Sequence, residues 1–157
     1  GFGPSVAYRV AMLSDLFGGH IETIEAERSR AVWAAIRDVA PFADGTDRPV
    51  WRVSMAPSDG WKLVAALRMQ AAVDAFYDWQ GGLVWLRMEG DAEAEAIRGL
   101  VRAHGGGHAT LVRAASSIRA ATPVFEPQPA ALGALAARLK SEFDPKGILN
   151  PGRMAAV

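Results

Sequence analysis

Over residues 50–56 apolar and polar positions alternate, with Trp51, Val53 and Met55 on one side and Arg52 and Ser54 on the other. That period of two predicts a half-buried strand. Residues 57–69 change to helical spacing, with Ser58 or Asp59 placed to cap the start. Two more strands are predicted at 72–79 and 83–89, joined by Gln80, Gly81 and Gly82 as a tight hairpin turn. Asp91 is placed to cap a helix reaching about His104, whose acidic DAEAEA opening suits the helix dipole. The glycines 105–107 punctuate it, and 108–114 reads as a last strand. Strand, helix, strand, strand, helix, strand is the split βαβ order. The segment is therefore predicted to be α+β, a ferredoxin-like antiparallel sheet with helices on one face.

The first fifty residues carry a weaker version of the pattern. Gly3-Pro4 opens a helix to 17 with Val6, Val10, Leu13 and Phe17 on one stripe, stopped by Gly18-Gly19. Residues 20–26 read as a short strand and 26–39 as a helix burying Val32, Trp33 and Ile36. Pro41 and the DGTD run at 44–47 then form a loop. This half is expected to be a second, cruder copy whose first strand is missing. With Gly rather than Met at position 1, the chain is expected to be the carboxyl-terminal portion of a longer protein. After the last strand, the PVFEPQP spacer at 123–129 leads to an Ala-rich helix at 130–143, followed by FDPKGILNPGRM at 143–154. Two prolines, two glycines and an Asn in twelve residues fix backbone shape, as a segment laid against a partner surface would require.

Composition narrows the chemistry. The 157 residues suit one domain, and 17 basic residues balance 17 acidic ones, with the arginines scattered. No electrostatic footprint for nucleic acid follows from that. The absence of cysteine excludes disulfides, thiolate catalysis and Cys-held clusters within these residues. No apolar run approaches the roughly 20 residues of a membrane span, so a cytoplasmic protein is expected. Of the five tryptophans, Trp33 and Trp61 lie on helical apolar stripes and are expected in the core, followed by Trp51 and Trp79, with Trp85 the least so.

The tail FDPKGILNPGRM resembles the FDPxGILNPGR closing segment of FAD-linked oxidases of the vanillyl-alcohol oxidase and glycolate oxidase class. WRVSMAP at 51–57 and GGHATLVRA at 106–114, with the helix and PQP spacer between them and the tail, are most similar to the carboxyl-terminal cap domain of the FAD-binding E subunits of bacterial glycolate oxidases. The resemblance implies a cap, or substrate, domain over 1–157 with a flavin-contacting tail at 143–154, the amino-terminal FAD-binding domain lying outside this chain. It implies oxidation of glycolate or a related 2-hydroxy acid with FAD as electron acceptor. The implied complex includes a second flavoprotein and an iron–sulfur subunit, placed in the cytoplasm or at the inner face of the membrane through its partners. The fragment by itself is expected to be inactive. Asn150 and Arg153 are the implied cofactor contacts.

The Glu-His-Gly segment and further histidines of the family's catalytic branch are missing. His20, His104 and His108 show no metal spacing. A non-catalytic assembly or electron-relay subunit is therefore the alternative. A free-standing ferredoxin-like sensor is a third reading, which leaves the tail unexplained. If helices cover one sheet face, the other offers Arg52 and Ser54, Trp85 and Arg87, and His108 and Thr110. A carboxylate substrate calls for an arginine fork, Arg52 first and Arg87 second. His108 is the candidate base. Arg113 is expected to point away from His108 unless a bulge intervenes.

Overall fold

The computed structural model describes residues 2–151. They form two compact units that divide between Ala43 and Asp44. In the first, helix α1 (Gly3–Leu16) and helix α2 (Ala26–Arg37) are followed by a single 3-10 turn at Ala40–Phe42. No strand forms at 20–26, and the expected second copy of the sheet is absent among the described residues. A seven-residue segment becomes a strand only when another strand satisfies its backbone, and the described residues of this unit offer none. Neither helix buries a side chain: Val6, Leu13 and Phe17 of the α1 segment stay exposed, and Trp33 is 63% exposed instead of lying in a core.

The second unit is built as predicted. Strand β1 (Val50–Met55), helix α3 (Gly60–Arg68), strands β2 (Val73–Asp78) and β3 (Leu83–Met88), helix α4 (Ala94–Ala103) and strand β4 (Gly107–Arg113) follow in that order. The sheet runs β2-β3-β1-β4, antiparallel throughout. That arrangement is the one a split βαβ unit produces, since each helix carries the chain over a neighbouring strand position. Helices α3 and α4 pack on one face, where Trp51, Val53, Val84, Leu86, Met88, Ala109 and Leu111 meet Leu63, Val64, Leu67, Ile97 and Val101. Gly60 lets α3 start against the β2–β3 turn, because a Cβ there would stand 2.2 Å from the Gly81 carbonyl oxygen.

Local details depart from expectation for physical reasons. Asp59 precedes α3 but its carboxylate receives Lys62 at 2.7 Å rather than capping an amide. Helix α4 begins three residues later than Asp91, after Glu93 in a left-handed conformation. Trp61 and Trp79 are 61% and 59% exposed, so neither joins Trp51 in the core. Trp79 opens the 3-10 turn Trp79–Gly81, which carries it past the end of β2. The segment after β4 contains a short helix, α5 (Ser116–Ala121), before α6 (Ala130–Phe143).

Residues 123–126 run along the outer edge of β4. The Leu111 amide donates to the Val124 carbonyl at 2.9 Å, and the Ala109 amide to the Glu126 carboxylate at 3.3 Å. The strap thereby occupies a sheet edge that would otherwise offer unpaired donors. Arg98, fully buried on α4, fastens it: Nη2 donates to the Pro123 and Phe125 carbonyls at 2.6 and 2.9 Å, with Glu126 at 3.5 Å from Nε. The same guanidinium lies over the Trp51 ring, 5.2 Å from its centroid.

Candidate functional site

The sheet face opposite α3 and α4 gathers the side chains that alternation left over. Register sets them in rows: Asp74 beside Arg87, Phe76 beside Trp85, Trp85 beside Arg52, Arg52 beside Thr110, and Ser54 beside His108. Arg52 and His108 are thus diagonal neighbours across β1 and β4, within reach of one small molecule. Phe76 and Trp85 stack with centroids 6.3 Å apart and planes 18° from parallel, a flat apolar shelf at the centre of the face. Arg52 is half-buried, its guanidinium 5.4 Å from the centroid of the Trp79 ring. Among the described residues no carboxylate pairs with it. A cation held on an aromatic face yet short of an anion is suited to receive one.

Arg87 differs. Its Nη1 donates to Asp44 Oδ2 at 2.7 Å and its Nη2 to Asp74 Oδ2 at 2.5 Å. Arg87 is thus engaged by carboxylates of the chain, whereas among the described residues Arg52 is not. The Arg113 expectation changes too. The β1–β4 register shifts between Val50 and Trp51, which pair with Arg113 and Leu111, so Val112 is a bulged residue. The extra residue reverses the alternation. Arg113 consequently lies on the face of Arg52 and His108, where its Nη2 donates to Asp44 Oδ1 at 3.0 Å. Asp44, Arg113 and Trp79 have no periodic signal to betray them; a bulge and two turns, not spacing, bring them to the face.

The tail is organised by one carboxylate. Asp144, nearly buried, accepts the Ile148 amide on Oδ1 and the Leu149 amide on Oδ2, both at 2.9 Å. Lys140 Nζ donates to Oδ2 at 2.7 Å and to the Leu149 carbonyl at 3.1 Å. Gly147 and Asn150, both with positive φ, complete the bend. The loop thus holds its own shape while Phe143, Ile148 and Leu149 stay 82%, 70% and 57% exposed. Asn150 is exposed at its end, and Arg153 lies outside the described residues. The Lys140 hydrogen bond first, then the Leu149 and Ile148 amides, hold the Asp144 carboxyl below its ordinary value of 3.8. A depressed carboxyl stabilises the loop above that ordinary value and ceases to as pH falls through the folded one. Asp144→Ala is expected to abolish slowed exchange of the Ile148 and Leu149 amides at neutral pH; unchanged NMR protection would refute this account of the bend.

No His, Asp and Glu group among the described residues is arranged to hold a metal ion. No helix among them is long and apolar enough to cross a membrane.

A split βαβ sheet with helices on one face, and an aromatic and cationic opposite face, defines the class: an α+β domain of the ferredoxin-like cap type. Over 107 residues, 68% of this chain, the sequence is 36% identical to the glycolate oxidase subunit GlcE of Escherichia coli (strain K12), which bears out the resemblance carried by the tail and strands. The chain spans about a quarter of that relative, the matched stretch being 26% of its length. No family model matches the chain, and no solved structure matches it.

Proposed function

We propose that this chain is the substrate-side cap of an FAD-linked oxidoreductase subunit that oxidises glycolate or a related 2-hydroxy acid. The observation that carries the proposal is the sheet face opposite the helices, on which Arg52, among the described residues, stands without a carboxylate partner beside the Phe76–Trp85 shelf and diagonally across from His108. The residues present fit a planar ring and an anionic substrate: the shelf offers a flat apolar surface, and Arg52 a charge at its edge. When bound, FAD supplies the acceptor for the hydride equivalent removed from the substrate. Arg52 binds the substrate carboxylate and fixes its orientation. His108 accepts the hydroxyl proton at an imidazole nitrogen. Trp85 and Phe76 exclude water from the space between. Asn150 and Arg153 in the tail are the proposed flavin contacts from this chain. The cap works with an amino-terminal FAD-binding domain and, in the complex, with a second flavoprotein and an iron–sulfur protein at the cytoplasmic side.

The test is anaerobic reduction of bound flavin by glycolate in the full-length protein. His108→Gln is expected to slow reduction about 10²-fold while leaving substrate affinity within a few fold, the loss expected for a positioned base. An unaltered rate removes His108 from the chemistry. Absence of any reduction in the wild-type protein favours the second reading, an assembly or electron-relay role. That reading has its own observation in α6, whose Leu132, Leu135 and Leu139 continue to Phe143 as an exposed apolar stripe. Capture of the sister subunits that fails when these leucines are replaced by serine would support it.

A further inference from the structure

Asp44, Arg87 and Arg113 are far apart in sequence and meet over one residue of β1. Arg87 on β3 and Arg113 on β4 both pair with Val50, so their guanidinium groups reach over it from either side. The Asp44 carboxylate lies between them, Oδ2 receiving Arg87 at 2.7 Å and Oδ1 receiving Arg113 at 3.0 Å. Oδ1 also accepts the Thr46 hydroxyl at 2.8 Å and the Thr46 amide at 3.1 Å. These Thr46 bonds first, then the charges of Arg113 and Arg87, hold the Asp44 carboxyl well below the usual range. Beyond its Cα an aspartate side chain is an acetate group. Two charge-assisted guanidinium bonds to one carboxylate are contacts that a free carboxylate can make equally well.

The carboxylate comes from a turn, not from the sheet, and the residue after it is Gly45 at φ 73°, which can adopt other backbone conformations at little cost. We propose that Arg87 and Arg113 form a binding fork for a small carboxylate, and that Asp44 is its built-in occupant, a latch displaced by an incoming ligand. The fork is braced independently of the latch. Arg87 Nη2 is held by Asp74, and Arg113 Nε donates to the Arg48 carbonyl at 3.3 Å. The inference rests on the functional proposal for the class of ligand alone, and it needs no flavin.

The competing account is an ion-pair network that only pins residues 44–49. Calorimetric titration and thermal unfolding of the full chain with acetate and glycolate, against chloride at matched ionic strength, separate the two. With Asp44→Ala the expected result is carboxylate binding at least about tenfold tighter than in the wild type, with a carboxylate-specific rise in Tm, and loss of both when Arg113→Met is added. A destabilised Asp44→Ala protein that gains no carboxylate affinity overturns the latch. Should that variant not fold, Asp44→Asn, which keeps the volume and removes the charge, is read by the same two outcomes. Glycolate reduction of flavin in full-length protein is scored separately: its absence beside intact acetate binding removes the functional proposal and leaves the latch standing.

Discussion

Replacing Arg98 with alanine is expected to destabilise the second unit by about 3 kcal/mol, from hydrogen bonds of a charged donor at about 1.5–3 kcal/mol and the cavity left by a fully buried side chain. Arg98 is 1% exposed, and its guanidinium serves two carbonyls of the strap, Glu126 and the Trp51 ring together. Deletion takes the donor from the Pro123 and Phe125 carbonyls, leaves Glu126 with Arg102 at 3.7 Å as its remaining cation and bares the edge of β4. A part-buried carbonyl left without its donor costs up to about 1–3 kcal/mol, less where water reaches it. Arg98→Lys keeps the charge and is expected to recover only part of the loss, because an ammonium cannot both fork to two carbonyls and lie flat on an indole. Urea unfolding monitored by far-ultraviolet circular dichroism measures both. A change below about 1 kcal/mol for the alanine variant would mean that the strap is held by other contacts.

Arg98 also marks where sequence reading reaches its limit. The βαββαβ order was legible because the strands alternate over most of their length and each crossing helix carries an apolar stripe. The open face could be listed in advance for the same reason: Arg52, Arg87 and His108 occupy the positions that a period of two assigns them. Where the period breaks, foresight fails. A single bulged residue, Val112, moved Arg113 to the opposite face, and nothing in VRA distinguishes a bulge from a regular strand. The 3-10 turn after β2 put Trp79 over Arg52 instead of in the core. Arg98 sits between Ile97 and Gly99 with no pattern to announce a buried charge, since its partners come from a spacer read only as proline-rich. In the first unit the apolar stripes of α1 and α2 were real, but periodicity cannot say whether a partner exists to cover them. Trp33 was placed in a core on the stripe alone and is exposed. The tail was legible as a shaped segment, and its mechanism, a carboxylate collecting two amides and a lysine, follows from Asp144 four and five residues before Ile148 and Leu149.

On the function proposed above, Arg52→Met in the full-length protein is expected to lower kcat/KM for flavin reduction by glycolate about 10²-fold, which corresponds to roughly 2.7 kcal/mol. The size follows from what Arg52 does in the proposed site. A guanidinium–carboxylate contact on a half-dry face contributes at the upper end for charged hydrogen bonds, about 1.5–3 kcal/mol, and orientation of the reacting carbon is lost with it. Stability should change far less, because among the described residues Arg52 gives up its contact with Trp79, about 0.5–1 kcal/mol at an exposed ring. That separation of activity from stability is what distinguishes a substrate-binding arginine from one that holds the fold. Trp79→Ala supplies the complementary measurement. It leaves the charge in place but removes the surface on which the side chain rests, so KM is expected to rise several fold with kcat little altered. Arg52→Lys should fall between wild type and Arg52→Met, having a charge without a fork. If Arg52→Met keeps kcat/KM within twofold of wild type, the carboxylate is bound elsewhere, and the Arg87–Arg113 fork, once freed of Asp44, becomes the site at which to look for it.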